Sequence, residues 1–387
     1  MKKQLLLILA IFLTGCIRLG DIQTGYQSNP ISQQTETKKI DYEAIQESGY
    51  AYYFDQLTEE QKYIYSDLHD VEVNRLSELN FDEPVSKNDY FTAFTAYRYD
   101  NPQAYWMMHY QYYTDSFGDV VSKVEFQIPN NLEEELTQVN QIADSVVASA
   151  ATLPSEYEKA KYFYEWIINQ TVYQNNDRDQ DFTSVFLLQA SVCEGYAKAF
   201  QYLCKKAGID CSYVRGNTTN GLHAWNFIKL NVQYYWVDAT WGDPIFEDSN
   251  EQSLNYYYFF VPDEVLYHSH LTIDGNVMVN MEESIPAFTF PKCTDNSLSY
   301  YVQNGLYYTT YDYASIRELV LTKLAQDSTA YIEFQFSTED AYQQALYDLF
   351  TQQYPQIQSI LNEIYYYGYQ YVYYYNDDVY TIGLQME

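Results

Sequence analysis

The sequence predicts an α+β protein with more than one folding unit, on three observations. Helical and extended patterns occupy separate blocks along the chain. A helix pattern in "SVCEGYAKAFQYLCKKAGID" is followed by an apolar hairpin pattern in "GLHAWNFIKLNVQYYWVDATWGDP". The tail from Cys293 reads strand, strand, helix, strand, helix, strand, strand. With 387 residues and 47% apolar composition, the chain can build real cores in two or three domains.

Residues 1–16, "MKKQLLLILAIFLTGC", carry a basic start, an apolar run from Leu5 to Leu13 and small residues before Cys16. The run is shorter than the roughly 20 residues a spanning helix needs, so it reads as an export signal. Leu13-Thr14-Gly15-Cys16 resembles the lipobox of bacterial lipoproteins, which implies cleavage and lipidation at Cys16 and anchorage to the outer face of the cell membrane. Residues 17–40 are polar without apolar periodicity and read as a flexible tether. Residues 41–130 read as a mixed α/β domain. In it "LTEEQKYIYSDLHDVEVNRL" is helical, and "AYWMMHYQYYTDS" and "VVSKVEFQI" are strands around a turn at Gly118-Asp119.

Residues 131–290 form the expected central domain, opening with two helices, the second started by Pro154. Residues 291–387 form a tyrosine-rich α+β domain. Its expected turns are Asn304-Gly305 and Asn376-Asp377, the first inside "LSYYVQNGLYYTT" and the second inside "YQYVYYYNDDVYTIGL".

Fifty-three acidic residues against 21 Lys and Arg give a net charge of −32, a field that repels nucleic acid and anionic lipid head groups. Nucleic acid is therefore excluded as a partner, and membrane contact is expected only through the Cys16 anchor. The 46 tyrosines supply apolar area with a polar tip, so a tyrosine-rich surface is expected. Beyond Cys16 the cysteines are Cys193, Cys204, Cys211 and Cys293, too few for a disulfide scaffold. Cys204 and Cys211 either pair or stay as buried thiols. His69 and His109 lack a cysteine or carboxylate cluster and read as surface or packing residues. Asp177, Asp179 and Asp181 lack the glycine and distal glutamate of a calcium loop and read as a solvated turn.

Cys193 precedes a helix whose Ala197, Phe200, Leu203 and Cys204 share one face, with Gly208 as its stop. The positive end of a helix stabilises an anion placed there, which suits a nucleophilic thiolate. Gly195 removes a side chain two positions on and is expected to admit a substrate. In the hairpin, a turn centred between Leu230 and Asn231 sets His223 opposite Asp238, Trp225 opposite Trp236 and Phe227 opposite Tyr234, all on one face. An aspartate there holds the imidazole in one tautomer and stabilises its cation. A one-residue slip would put His223 and Asp238 on opposite faces.

"VCEGYAKAF", "GLHAWNFI" and "YWVDATWGDP" together resemble the core of the transglutaminase-like superfamily, over residues 155–245 and most closely between Val192 and Pro244. The resemblance implies a papain-like arrangement, a cysteine-bearing helix packed on an antiparallel sheet that carries histidine and aspartate. It assigns Cys193 as nucleophile, His223 as general base and acid, and Asp238 as the orienting carboxylate. Here the turn is "KLNVQ", where the family usually has a glycine. The Cys193 amide is a natural oxyanion donor, with Tyr173 and Gln189 as candidate side-chain donors, and Trp241 is expected to pack beside the triad. The layout also resembles surface lipoproteins of Gram-positive bacteria that contain this core.

The implied function is a cell-surface cysteine enzyme acting on amide bonds through a thioester, as peptidase, amidase, deamidase or transglutaminase, on a protein or cell-wall peptide. No cofactor or metal is implied. The alternative is a non-catalytic lipoprotein whose tyrosine-rich domains bind glycan or protein.

Overall fold

The structure, a computed structural model, describes residues 40–243, 254–273, 275–279, 283–365 and 369–386. The export signal, Cys16 and the tether lie outside the described residues, apart from Ile40. The described residues form two compact units. One holds residues 40–258 and 270–294, so the 41–130 segment lies in the same unit as most of the central segment. The other holds Phe259–Ser269 together with the tail from Asp295.

In the first unit, helix Glu59–Asn74 begins with a reciprocal cap between Thr58 and Gln61. Strands Glu78–Ser86, Val120–Phe126 and Tyr110–Thr114 form an antiparallel sheet in that order, with helix Lys87–Asp100 beside it. The "AYWMM" stretch is not part of a strand. Pro102 occupies the first turn of a 3₁₀ segment, Pro102–Met108, and the strand starts only at Tyr110. Helices Leu132–Ala150 and Glu156–Gln170 follow. The second is capped by the Ser155 side chain, which accepts from the Glu158 amide, so Pro154 stands just outside it.

Helix Cys193–Lys206 ends as its pattern requires, with Gly208 at φ 73°. Ala197, Phe200, Leu203 and Cys204 are all buried. The helix packs on strands Asp210–Thr218 and Gly221–Leu230. Four strands of this sheet run in the order His270–Thr272, Asp210–Thr218, Gly221–Leu230, Gln233–Val237, each antiparallel to its neighbour. Cys204 and Cys211 are both buried free thiols.

The hairpin register differs from the expected one. Leu230 pairs with Gln233, Lys229 with Tyr234 and Phe227 with Trp236, so the turn is centred between Asn231 and Val232. Asn231 takes the left-handed conformation, φ 57°, that lets a two-residue turn close there. Moving the centre by one residue changes each pairing by two, and a change of two leaves every side chain on its face. His223 and Asp238 become diagonal rather than direct neighbours, still on the same face.

The second unit carries a four-stranded sheet in the order Tyr307–Tyr308, Ile332–Phe336, Thr381–Met386, Tyr371–Asn376, with helices Tyr313–Gln326 and Glu339–Leu346. The first expected strand of the tail is instead a helical turn, Tyr300–Gln303, started by the Ser299 hydroxyl capping the Val302 amide. The last hairpin closes between Asn376 and Thr381, and its turn runs to Tyr380 at φ 53°.

One buried amide joins the cysteine helix to the sheet. Asn226 Nδ2 donates to the carbonyls of Ala197 (2.9 Å) and Ser212 (3.3 Å). Asn226→Leu should lower the unfolding free energy by about 1–3 kcal/mol, the usual cost of losing such buried bonds. Urea denaturation checks this; an unchanged midpoint would mean the amide is dispensable.

Candidate active site

The approach to Cys193 is braced by backbone. Val172–Tyr173 pairs in parallel with Ala190–Ser191. The Asp179 carbonyl accepts from the Val192 amide (3.2 Å) and from Ser191 Oγ (2.7 Å). The Asp179 carboxylate in turn accepts from Asn175 and the Asn176 amide. Asp179 is therefore a local brace within the acidic turn. Gly195 serves the same brace and is not primarily an opening for substrate. A Cβ there would lie 1.9 Å from Ser191 Oγ and 2.9 Å from the Asp179 carbonyl.

Cys193 opens its helix behind an extended Val192 that offers no side-chain cap. Its thiol is partly exposed, whereas Cys204, Cys211 and Cys293 are buried. His223 lies near the start of strand Gly221–Leu230 and is 7% exposed. Asp238 follows immediately after strand Gln233–Val237 and is fully buried. His223 Nε2 is 2.7 Å from Asp238 Oδ2. An ionised carboxylate only accepts, so Nε2 carries the proton shared with Asp238, and the Cys193 side chain is near enough to the ring to raise the imidazole. Cys193, the His223 imidazole and the Asp238 carboxylate thus lie in series.

Burial alone lowers the His223 imidazolium, but the Asp238 carboxylate and the contact with Cys193 outweigh it and push His223 up to about 10. Burial raises the Asp238 carboxyl, and His223 and His270 reverse this, holding it well below the usual carboxylate range.

The two candidate oxyanion donors separate. The Tyr173 phenol lies close enough to Cys193 to feel it, and burial raises the phenol. Gln189, at φ 53°, turns its amide to Gln170 Oε1 at 3.3 Å. Trp241 packs beside the triad, its ring 5.7 Å from that of His223, and its amide donates to Asp238 Oδ1 at 3.1 Å. His69 packs edge-on against Tyr97.

Sequence reading assigns nothing to His270, yet it is fully buried with Nε2 3.0 Å from Asp238 Oδ2. It lies 32 residues beyond Asp238, and no periodicity links it to the hairpin. Among the described residues, His223, Asp238 and His270 are also the set whose ligand atoms, all within 4.8 Å of one another, could hold a metal ion. Those atoms are engaged in mutual N–H···O bonds of ordinary length.

Residues 140–240 match the family model described as the Transglutaminase-like superfamily. This segment is a transglutaminase-like core. Kyphoscoliosis peptidase of Mus musculus is 27% identical over 144 residues, covering 32% of this chain and 22% of that protein. The Homo sapiens protein of the same name is 26% identical over the same length and with the same coverage. The chain thus spans about a fifth of the length of these curated relatives. Among solved structures, one described as a TGase aligns at 14% identity and a TM-score of 0.25, covering 42% of this chain and 60% of that one. The transglutaminase-like core here is α+β, with the cysteine at a helix start and the histidine and aspartate on the sheet beneath it.

The raised His223 value fixes the sign of a pH effect. A histidine held above its unfolded value of about 6.5 contributes stability that is complete below that value and lost as pH rises through about 10. The gap in unfolding free energy between wild type and Asp238→Asn should be widest near pH ~6 and narrow toward pH ~10. Urea titrations at fixed ionic strength measure it, and a constant gap would mean that Asp238 does not hold the His223 cation.

Proposed function

We propose that the chain is a cell-surface cysteine enzyme that cleaves or exchanges amide bonds in a protein or cell-wall peptide through a thioester intermediate. The observation that carries this reading is the series of Cys193 at a helix start, His223 beside it and Asp238 hydrogen-bonded to His223 on the adjoining sheet. Similarity to a peptidase over 144 residues supports peptide-bond cleavage as the reaction to test first.

In this mechanism the proton given up by Cys193 is already held on the His223 cation, and Sγ forms its bond to the carbonyl carbon as the C=O π pair moves to oxygen. The Cys193 amide and the Tyr173 hydroxyl are the groups proposed to donate to the developing oxyanion. His223 then passes its proton to the leaving amine as the C–N bond breaks, giving the thioester. Water attack on the thioester gives hydrolysis or deamidation, and amine attack gives transamidation. His223 accepts the proton of the attacking group in either case and Cys193 is released. Asp238 stays ionised throughout, holding the ring and its positive charge.

Iodoacetamide near pH 6 should alkylate Cys193 well ahead of Cys204, Cys211 and Cys293, followed by peptide mass mapping. His223→Ala should slow Cys193 alkylation by at least about tenfold, the usual scale of general-base loss being larger still. Asp238→Asn should slow it too, and the double variant should add little, because residues acting as one unit are non-additive. Equal rates at all four thiols would overturn the enzyme reading in favour of a binding protein.

Surface location is part of the proposal and rests on the Leu13–Cys16 lipobox pattern and the apolar run before it. Cys16→Ser should release the protein to the medium or leave it unprocessed, seen by fractionation. Membrane retention of a cleaved Cys16→Ser form would remove the lipid anchor from the proposal.

A further inference from the structure

We infer that His270 is a positioning residue of this site, fixing the Asp238 carboxylate that in turn orients His223; the inference rests on the triad reading above. A carboxylate has about four acceptor positions. Asp238 Oδ1 uses its two on the Thr240 amide (2.8 Å) and the Trp241 amide (3.1 Å). Oδ2 accepts from His223 Nε2 (2.7 Å) and His270 Nε2 (3.0 Å). With both oxygens saturated, rotation of the group would break bonds that the surroundings do not replace. Asp238 and His270 are both at 0% exposure, so water cannot stand in for a missing donor.

His270 is itself placed by two independent features. It opens strand His270–Thr272, where it pairs with Thr218. Its ring is enclosed by Trp225 (5.0 Å), Trp241 (4.6 Å) and Tyr258 (4.7 Å). The Trp225 ring reaches this position over Gly216, where a Cβ would come within 2.3 Å of it and 2.5 Å of the Leu271 carbonyl. The glycine, the tryptophan and the short strand all serve one imidazole. Chemically, the second donor shares the carboxylate's charge, so Asp238 holds the His223 cation firmly without competing for its proton. A general acid that must surrender a proton to the leaving amine benefits from that moderation.

The test uses the full chain and compares His270→Gln, His270→Asn and His270→Leu with wild type and with His223→Ala. Glutamine keeps an N–H donor at the reach of Nε2, asparagine carries one a carbon short, and leucine removes it. Cys193 alkylation should stay within about threefold of wild type for His270→Gln and fall on the order of tenfold or more for His270→Asn and His270→Leu, the usual scale for outer partners of a site. The His223 Nε2–H proton should keep its wild-type chemical shift in His270→Gln and be shifted or lost to solvent exchange in the other two. If His270→Leu fails to fold, the glutamine and asparagine variants carry the comparison. Equal alkylation by the folded His270 variants and wild type, with His223→Ala inactive, would overturn the positioning role and leave the triad standing. Loss in His270→Gln as severe as in His270→Asn would also overturn it, since the donor would then be irrelevant. Wild-type rates in His223→Ala would remove the triad reading itself.

Discussion

Asp238 is a fully buried carboxylate, and a buried charge is tolerated only when its acceptor positions are filled. Its donors come from the Gly221–Leu230 strand, from the two amides at Thr240 and Trp241, and from the His270–Thr272 strand. Satisfying that one group fixes where the chain must turn after Gln233–Val237. It also fixes which residue of the Gly221–Leu230 strand points at it, and it requires the His270 segment to return to the far side of Asp210–Thr218. The sheet order follows from these demands as much as from its apolar faces. The same carboxylate holds the imidazole through Nε2, which leaves Nδ1 as the ring nitrogen turned to another partner.

The reactive part of this arrangement was legible in the sequence because it rests on short-range rules. Cys193 opens a helix with a clean apolar face, and the period of two keeps His223 and Asp238 on one side of the hairpin whatever the even shift in pairing. The pairing itself was less legible, because "KLNVQ" allows two turn centres and only the left-handed Asn231 distinguishes them. Gly195 was misread for a related reason: its close neighbours, Ser191 and the Asp179 carbonyl, come from a loop whose path no local pattern announces. His270 was invisible because its role exists only through an edge strand and an aromatic enclosure assembled from Trp225, Trp241 and Tyr258.

The tyrosine content and the acidity, which look unrelated in the composition, are linked in the fold. Many tyrosines do not sit on the surface; Tyr53, Tyr65, Tyr90, Tyr97, Tyr164, Tyr196, Tyr213, Tyr258 and Tyr301 are buried almost completely. With 53 acidic residues against 21 Lys and Arg, carboxylates outnumber cations by more than two to one. Phenol hydroxyls supply donors instead, as in Tyr65 to Asp100 (3.2 Å), Tyr105 to Glu135 (2.7 Å), Tyr196 to Asp243 (2.7 Å), Tyr301 to Glu333 (2.6 Å) and Tyr342 to Asp377 (2.7 Å). A neutral donor of this kind satisfies a carboxylate without the long flexible side chain of a lysine, and its ring contributes apolar burial at the same time. Burial and these carboxylates together raise the phenols, so the donors stay protonated across the ordinary pH range.

Burial is graded along the series Cys193, His223, Asp238 in the direction the proposed chemistry needs. Cys193 is partly exposed, His223 nearly enclosed, and Asp238 and His270 fully enclosed. A molecule arriving from solvent would therefore meet Cys193 before His223, while the charge that stabilises the imidazolium is held where water cannot screen it. A carboxylate at the surface would be screened and free to rotate, and one buried without its full set of donors would neutralise itself by taking up a proton. The four N–H donors remove both failures together. Their dispersal across the core, rather than any single motif, is what turns a polar pair in an aromatic hairpin into a site able to hold and move a proton.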